Sequence, residues 1–313
     1  MKMRSAALAL ACLTLAGTAL PAHAQSTRAA KAEAAQSATP ASATLLVAHP
    51  VLFALTTALA EGTALRVERA APANLPATRH ASFFSGRGGA ALAKAAGQAD
   101  AVVAMRSVWH DDPLFPMARR SNIRLVEIDA AQPLDGALSG IALQSGQRGG
   151  SEFAAYPWLS MANLGRMADI VAADLGQLAP QDEARIDQNL AAIKRELVTL
   201  NANSQAALAA AENVSVLSLS ERVPYLVSAF NLDLVDTVVH TDAQWTPEQL
   251  AALTEQVKAS GVAAVLTHGE AGDALRQAVE QGGAKLVALQ TEGNDPVGDL
   301  RVNAERLQAA LLP

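Results

Sequence analysis

From Thr44 onward, short runs of apolar and β-branched residues alternate with longer stretches that have the spacing of amphipathic helices. Eight of the short runs are candidate strands: Thr44–Ala48, Leu65–Arg69, Ala101–Met105, Ile123–Ile128, Val214–Leu219, Leu234–Val239, Val262–Thr267 and Lys285–Leu289. Alternation of apolar strands with helices is typical of βα units around a parallel sheet. Two sets of four strands therefore predict an α/β fold with two lobes, each a parallel β-sheet flanked by helices.

The chain between the two sets of strands has the strongest helical pattern. Apolar residues recur every three or four positions, at Leu164, Met167, Ala168, Val171, Ala172 and Leu175, and again at Ile186, Leu190, Ile193, Leu197 and Leu200. This spacing predicts two successive helices between the lobes, and Pro180 suits the first turn of the second. We expect an N-terminal lobe over residues 43–158, a long bridging helix over 159–180 and a C-terminal lobe over 181–313.

The first residues of the chain have the pattern of a secretory signal. Two basic residues precede an apolar run over 6–20, and Ala22-His23-Ala24 supplies the small residues of a cleavage site. The run is shorter than the roughly 20 residues of a membrane-spanning helix. We therefore expect a cleavable signal peptide over 1–24, a flexible leader over 25–42 and a soluble protein in the periplasm.

Composition excludes several classes of function. With 24 Lys and Arg against 30 Asp and Glu, the chain has a formal net charge of −6 and no basic run, so nucleic-acid binding is not expected. The only cysteine, Cys12, lies in the predicted signal peptide, which leaves the mature chain without a thiolate ligand or a disulfide. A metal site would therefore use imidazole, carboxylate, phenol or water.

Catalytic motifs are absent from the sequence. It has neither the Gly-x-Ser-x-Gly elbow of a hydrolase nor the His-Glu-x-x-His helix of a metalloprotease. The Gly-rich segment 86–89 lacks the ending of a phosphate-binding loop, and we interpret it as the start of a helix. Its backbone N–H groups beside Arg87 are an alternative site for an anion. We expect no enzyme and no organic cofactor.

Four histidines come within a few residues after a predicted strand, namely His49, His110, His240 and His268, and His80 lies at the far end of a longer loop after Leu65–Arg69. Because ligands bind at the carboxyl ends of parallel strands, these positions are candidates for a shared site. A histidine after a strand also commonly caps a helix or faces solvent, so both interpretations stay open. We expect His49, His80 and His110 to approach one another within the first lobe. Glu221 or His268 would contribute a metal ligand or a cleft contact from the second lobe.

A set of short segments resembles, in order, the segments of one known family. They are Ala99–Val103, Pro157–Leu159 followed by Asn163, Leu178–Pro180 followed by Asn189, and Thr246–Leu250. From about Thr44 to Leu311 the chain resembles the periplasmic zinc- and manganese-binding receptors of metal ABC transporters. The resemblance implies two lobes bridged by one long helix, with a metal held in the cleft between them.

The receptors resembled hold their metal at four ligand positions, and the resemblance carries these over one at a time. The first falls on His80, which is a suitable ligand. The second falls on Tyr156, which does not match. The third falls on Ser220 or, if the helix start is shifted by one, on Glu221, which is acceptable. The fourth falls near Gln290, where the resemblance implies a carboxylate. The metal-ligand set is therefore degenerate. We interpret Tyr156 as packing beside Trp158 at the mouth of the cleft.

The sequence thus predicts a periplasmic solute-binding protein of an ABC importer. Its transported ligand would be zinc or manganese, held mainly by His80 and Glu221, with His49 and His110 next. Its partner would be a permease in the inner membrane, and the receptor itself would be a monomer. Two alternatives remain open, a receptor of the same fold for a small organic or chelated ligand, and a periplasmic metal chaperone.

Overall fold

The computed structural model describes residues 43–134, 136, 138–145, 154–240 and 245–313. These residues belong to one compact unit that extends from Ser42 to Pro313. The predicted signal peptide and leader, residues 1–42, lie outside the described residues. Within the described ranges, no helix combines the length and the apolar character needed to cross a membrane.

The N-terminal lobe is built on four parallel strands. The strands are β1 (Thr44–Val47), β2 (Arg66–Arg69), β3 (Ala101–Ala104) and β4 (Val126–Asp129), and the helices are α1 (Pro50–Leu59), α2 (His80–Ser85), α3 (Gly89–Ala96) and α4 (Leu114–Ala118). The strand order is β2-β1-β3-β4. Every residue of the central strands β1 and β3 is buried, which explains why their sequences are apolar throughout.

The C-terminal lobe repeats this architecture. The strands are β5 (Ser215–Ser218), β6 (Asp233–Thr237), β7 (Ala264–His268) and β8 (Lys285–Leu289), and the helices are α7 (Pro224–Ala229), α8 (Pro247–Ser260), α9 (Asp273–Gln281) and α10 (Pro296–Leu311). All strand pairs are parallel, and the order β6-β5-β7-β8 matches that of the first sheet. The two lobes therefore share one topology.

The predicted α/β class with two lobes is confirmed, and each of the eight predicted strands is present. The clearest difference in boundaries is β4, predicted from Ile123 but observed from Val126. The Asn122 side chain accepts a hydrogen bond from the Arg124 N–H at 3.1 Å, which turns the chain before the strand begins. Ile123 is 77% exposed in this turn. The prediction began the strand at Ile123 because the residue is apolar, and this start is three residues too early.

Two helices connect the lobes, as the periodicity predicts. The first, α5 (Met161–Leu178), begins at Ser160, whose hydroxyl accepts a hydrogen bond from the Asn163 N–H at 3.4 Å. The second, α6 (Glu183–Leu208), is 26 residues long and packs along α5. The strictly repeating apolar face of α5 is fully buried, because it faces the core of both lobes.

One hydrophobic core runs through both lobes. Its members come from both sheets and from α5, for example Leu45, Val47, Leu164, Met167, Val216 and Leu266. Each of these side chains is less than 1% exposed. The lobes are therefore joined by packed side chains as well as by the connecting helices, which holds the carboxyl ends of the strands in fixed positions.

A truncation in this shared core tests its importance. We expect Leu164→Ala to lower the free energy of unfolding by about 2–5 kcal/mol, because it removes buried surface and leaves a cavity in the packing between the lobes. Denaturant unfolding of wild type and variant measures the change. The matched control Leu134→Ala removes a side chain that is 56% exposed and should change stability by less than about 0.5 kcal/mol. Equal effects at the two positions would contradict the shared core.

Candidate functional site

A cavity of about 740 Å³ lies at the carboxyl ends of β1 and β3. Its wall consists of residues from the N-terminal lobe, which are His49, Ala77, Thr78, His80, Ala81, Val108, Trp109, His110, Asp111, Asp112, Pro113, Ala155 and Tyr156. His49 directly follows β1, the segment 108–113 follows β3, and His80 is the first residue of α2. The three predicted histidines of this lobe therefore line one cavity, since parallel strands end at the same edge of the sheet.

The imidazole of His49 is buried at the back of this cavity. The residue is 2% exposed, and its ring packs edge-on against two indoles, 4.6 Å from Trp158 and 5.2 Å from Trp109 between ring centroids. Among the described residues, neither ring nitrogen has a hydrogen-bond partner. An orphaned polar group of this kind is costly in a protein interior, so packing alone does not account for a histidine here.

His80 presents a second buried imidazole to the same cavity. It is 3% exposed, and its Nε2 has no hydrogen-bond partner among the described residues. A hydrogen bond between the ring and the backbone of Leu75 raises its pKa, but the larger effect of burial lowers it. A ring held at one nitrogen by a backbone group, with its other nitrogen unpartnered, has the arrangement of a metal-ligating histidine.

Burial keeps the His49 ring in its neutral form. Desolvation, together with a smaller effect of the nearby His80, lowers the pKa of His49 from 6.5 to about 3. The nearest acid is Glu292, whose Oε1 lies 3.9 Å from His49 Nε2. This distance is too long for a hydrogen bond, and a neutral imidazole forms no ion pair. The lone pair of the ring is therefore available near pH 7.

Glu292 reaches the site from the C-terminal lobe, just after β8. Its Oε1 accepts a hydrogen bond from the Ala77 N–H at 3.1 Å, and its Oε2 lies 3.7 Å from Arg222 Nη1. A carboxylate was expected near Gln290, and Glu292 was not identified from the sequence. The expected carboxylate after the last strand was the only sequence signal for Glu292. The loop after β8 places this acid two residues beyond Gln290.

The segment around Glu292 fastens the C-terminal lobe to the cavity wall. The indole N–H of Trp158 donates a hydrogen bond to the Thr291 carbonyl at 2.7 Å, and Arg222 Nη1 donates to Thr291 Oγ1 at 3.1 Å. The Arg222 guanidinium also lies 4.9 Å from the centre of the Tyr156 ring. Arg222 was not identified from the sequence either, since this residue lies on a turn that has no recognisable sequence pattern.

Tyr156 forms part of the aromatic wall of the cavity. Its ring lies 5.1 Å from that of Trp158, as expected from their spacing in the sequence. Burial raises the pKa of the Tyr156 phenol, although the nearby Arg222 opposes this shift. The phenol is therefore protonated at neutral pH and is a poor metal ligand in this state.

Of the remaining predicted site residues, only His110 is among those that line this cavity. The Ser220 hydroxyl is buried and accepts the Arg222 N–H at 3.2 Å, and the Gln290 backbone is bound on both sides by the Asn303 side chain. Glu221 and His268 are exposed. His110 lines the cavity, but as an exposed residue at its rim. The closest group of candidate donors is thus His49 with His80.

Two carboxyl groups, those of Asp111 and Asp112, also line the cavity. Asp111 is exposed, whereas Asp112 is 8% exposed and accepts a hydrogen bond from the Leu114 N–H at 3.0 Å. Burial raises the pKa of Asp112. Among the described residues, no three His, Cys, Asp or Glu side chains are arranged closely enough to hold a metal ion by themselves. The cavity therefore offers two strong nitrogen donors rather than a complete coordination sphere.

Comparison with known proteins places the chain in a family. The family model named ZnuA, zinc-uptake complex component A, periplasmic, matches residues 90–310, which is more than half of the chain. No curated protein sequence matches the chain.

Solved structures share the fold. A ZnuA deletion mutant with zinc bound has a TM-score of 0.67 at 20% identity, over 86% of this chain and 98% of the other. Zn(II)-bound AdcA from Streptococcus pneumoniae has a TM-score of 0.67 at 20% identity, over 86% of this chain and 57% of the other. FpvC from Pseudomonas aeruginosa with Ni²⁺ has a TM-score of 0.66 at 19% identity, over 86% and 97%. At these identities the likeness establishes the architecture and leaves the ligand to be argued from the site.

The buried neutral state of His49 predicts a pH-dependent stability. Since the pKa is about 3 in the folded protein and about 6.5 in the unfolded chain, the unfolded state gains a proton first as the pH falls. The contribution of His49 is complete above pH 6.5 and is lost progressively between pH 6.5 and 3. We expect metal-free protein to lose about 2 kcal/mol from this residue between pH 7 and 5, measured by denaturant unfolding.

The variant His49→Leu isolates this effect. Leucine fills a similar volume between the two indoles and leaves no unpartnered nitrogen, so the metal-free variant should be at least as stable as wild type at pH 7. Its loss of stability between pH 7 and 5 should be smaller by about 2 kcal/mol. An identical pH dependence of the two proteins would show that His49 is not buried in its neutral form.

Proposed function

This chain belongs to the ZnuA family of zinc-uptake components, and on that premise we propose that it is a periplasmic receptor that binds a transition metal in the cavity of His49 and His80. The metal is cargo, and the receptor performs no chemistry on it. The expected signal peptide and the periplasmic description of the family support this location.

The observation that carries the proposal is the pair of unpartnered imidazoles in one cavity. A buried polar group without a partner costs about 1–3 kcal/mol, and three such ring nitrogens belong to these two histidines, His49 Nδ1 and Nε2 and His80 Nε2. A metal ion would supply a partner for one nitrogen of each ring. Because burial lowers both pKa values, neither ring has to lose a proton before it binds a metal near pH 7.

The type of donor favours zinc over manganese. Imidazole nitrogen suits zinc, copper and nickel, whereas manganese prefers carboxylate, carbonyl and water oxygens. The cavity has two imidazoles at its back and its carboxyl groups at the rim. Of zinc and manganese, zinc is therefore the cargo that we propose.

The proposed site uses a different set of residues from the one that the family resemblance implies. Of the implied positions only His80 is a strong donor, since the phenol of Tyr156 stays protonated and the hydroxyl of Ser220 is engaged with the Arg222 backbone. His49 lies next to His80 and takes the place of a second imidazole. Metal capture is thereby shifted from the cleft between the lobes toward the N-terminal lobe.

Removal of either imidazole tests this site. We expect His49→Ala and His80→Ala, in protein without a histidine tag, to weaken zinc binding by more than roughly 100-fold, since loss of an outer-shell partner alone costs about 10–100-fold. Isothermal titration calorimetry with zinc chloride measures the affinity.

The matched control is His240→Ala, which removes an imidazole that packs on Trp245 in the C-terminal lobe. This variant should bind zinc as wild type does. Zinc affinity that is unchanged in both cavity variants would refute the site, and wild-type protein that binds no metal in any form would refute the proposed function.

Delivery to an ABC permease is the second half of the proposal. A receptor and a metal chaperone differ in what their loss does to uptake. We expect a deletion strain to accumulate less radioactive zinc than its parent in zinc-depleted medium, and the wild-type gene to restore uptake. Normal uptake in the deletion strain would instead favour the chaperone.

A further inference from the structure

The cavity supplies too few donors to fill the coordination sphere of a metal ion by itself. Zinc in proteins is usually bound by three or four side chains, and the cavity supplies two strong donors in His49 and His80. Within the described part of the chain, no third His, Cys, Asp or Glu completes such a group. At least half of the coordination sphere must then come from the cargo itself or from water.

Glu292 is the nearest acid, but its oxygens already have partners. One accepts the Ala77 N–H, and the other faces the Arg222 guanidinium at 3.7 Å. As a ligand, the carboxylate would share its negative charge between the metal, the Ala77 N–H and the Arg222 guanidinium. It would also bring the positive charge of Arg222 toward the metal. Glu292 therefore serves better as a link between the lobes than as a third donor.

The size of the cavity also indicates a cargo larger than a single metal ion. Its volume of about 740 Å³ lies within the range of roughly 300–1,000 Å³ that is usual for small-molecule sites. A water molecule occupies about 30 Å³ in the liquid, so a hydrated ion would fill a small part of the space. The cavity has room for a metal together with an organic molecule.

The wall of the cavity specifies the character of that molecule. Trp109 and Tyr156 provide aromatic surfaces, and Ala77, Ala81, Val108 and Pro113 provide apolar ones. The carboxyl groups of Asp111 and Asp112 are the acidic groups of the wall, and no Lys or Arg is among the described residues that line it. This environment favours a neutral or cationic complex and disfavours a polyanionic one.

We infer that the cargo is a transition metal already bound to a small amine-type chelator, which leaves two coordination positions open for His49 and His80. The inference rests on the proposed function and specifies its substrate class. The imidazoles bind the metal, the aromatic and apolar wall contacts the chelator, and the exposed carboxyl group of Asp111 is the acid available to its positive charge.

A mixed complex tests this inference directly. Nickel(II) with one equivalent of diethylenetriamine is a suitable probe, because the tridentate amine leaves open positions on an octahedral metal and the complex is cationic. We expect tag-free protein to bind it at least about tenfold more tightly than nickel(II) alone, a difference of about 1.4 kcal/mol. Native mass spectrometry should find protein, nickel and triamine together.

Two comparisons complete the design. His49→Ala and His80→Ala should each lose the ternary complex, whereas the control His240→Ala should keep it. The anionic complex of nickel(II) with citrate should not bind wild type, and tight binding of the citrate complex would overturn the assignment of an amine-type chelator.

The outcomes separate this inference from the proposed function. If nickel(II) alone binds as tightly as the complex and no triamine is retained, the inference fails and metal capture by the two histidines stands. If neither nickel(II), zinc(II) nor the triamine complex binds, the proposed function fails together with the inference.

Discussion

The burial of His49 without a hydrogen-bond partner is the constraint on which the rest of the site depends. The ring is fixed by its position directly after a central strand and by two indoles that pack edge-on against it. Desolvation keeps it neutral, which provides a lone pair at the cost of an unsatisfied group. The core that the lobes share must compensate for this cost, because marginal stability leaves little to spare.

The C-terminal lobe closes the site from behind rather than supplying its donors. Trp158, which holds one side of His49, is itself held by the Thr291 carbonyl, and Glu292 binds the backbone at Ala77. A short segment after β8 thus fixes the indole, the loop before His80 and the position of Arg222 at once. The two buried imidazoles of the cavity, His49 and His80, both belong to the N-terminal lobe.

Much of the fold follows from the sequence, because buried parallel strands and an apolar helical face leave strong patterns. The convergence of His49, His80 and His110 was predictable as well, since these residues follow strands that end at one edge of a sheet. The position of Glu292 was not, because it depends on the path of a loop. The exposure of Glu221 and His268 was equally hidden, since a pattern locates the end of a strand but not the direction of the next side chain.

Membership in a family and identity of the ligand are separate conclusions in this protein. The family model matches residues 90–310, and the solved structures account for the fold. They do not account for a tyrosine, a serine and a glutamine where ligands are implied. Those three positions remove donors, whereas His49 adds one that has no other partner. The cavity has two buried imidazoles and a volume of about 740 Å³, and the shared fold does not by itself determine its ligand.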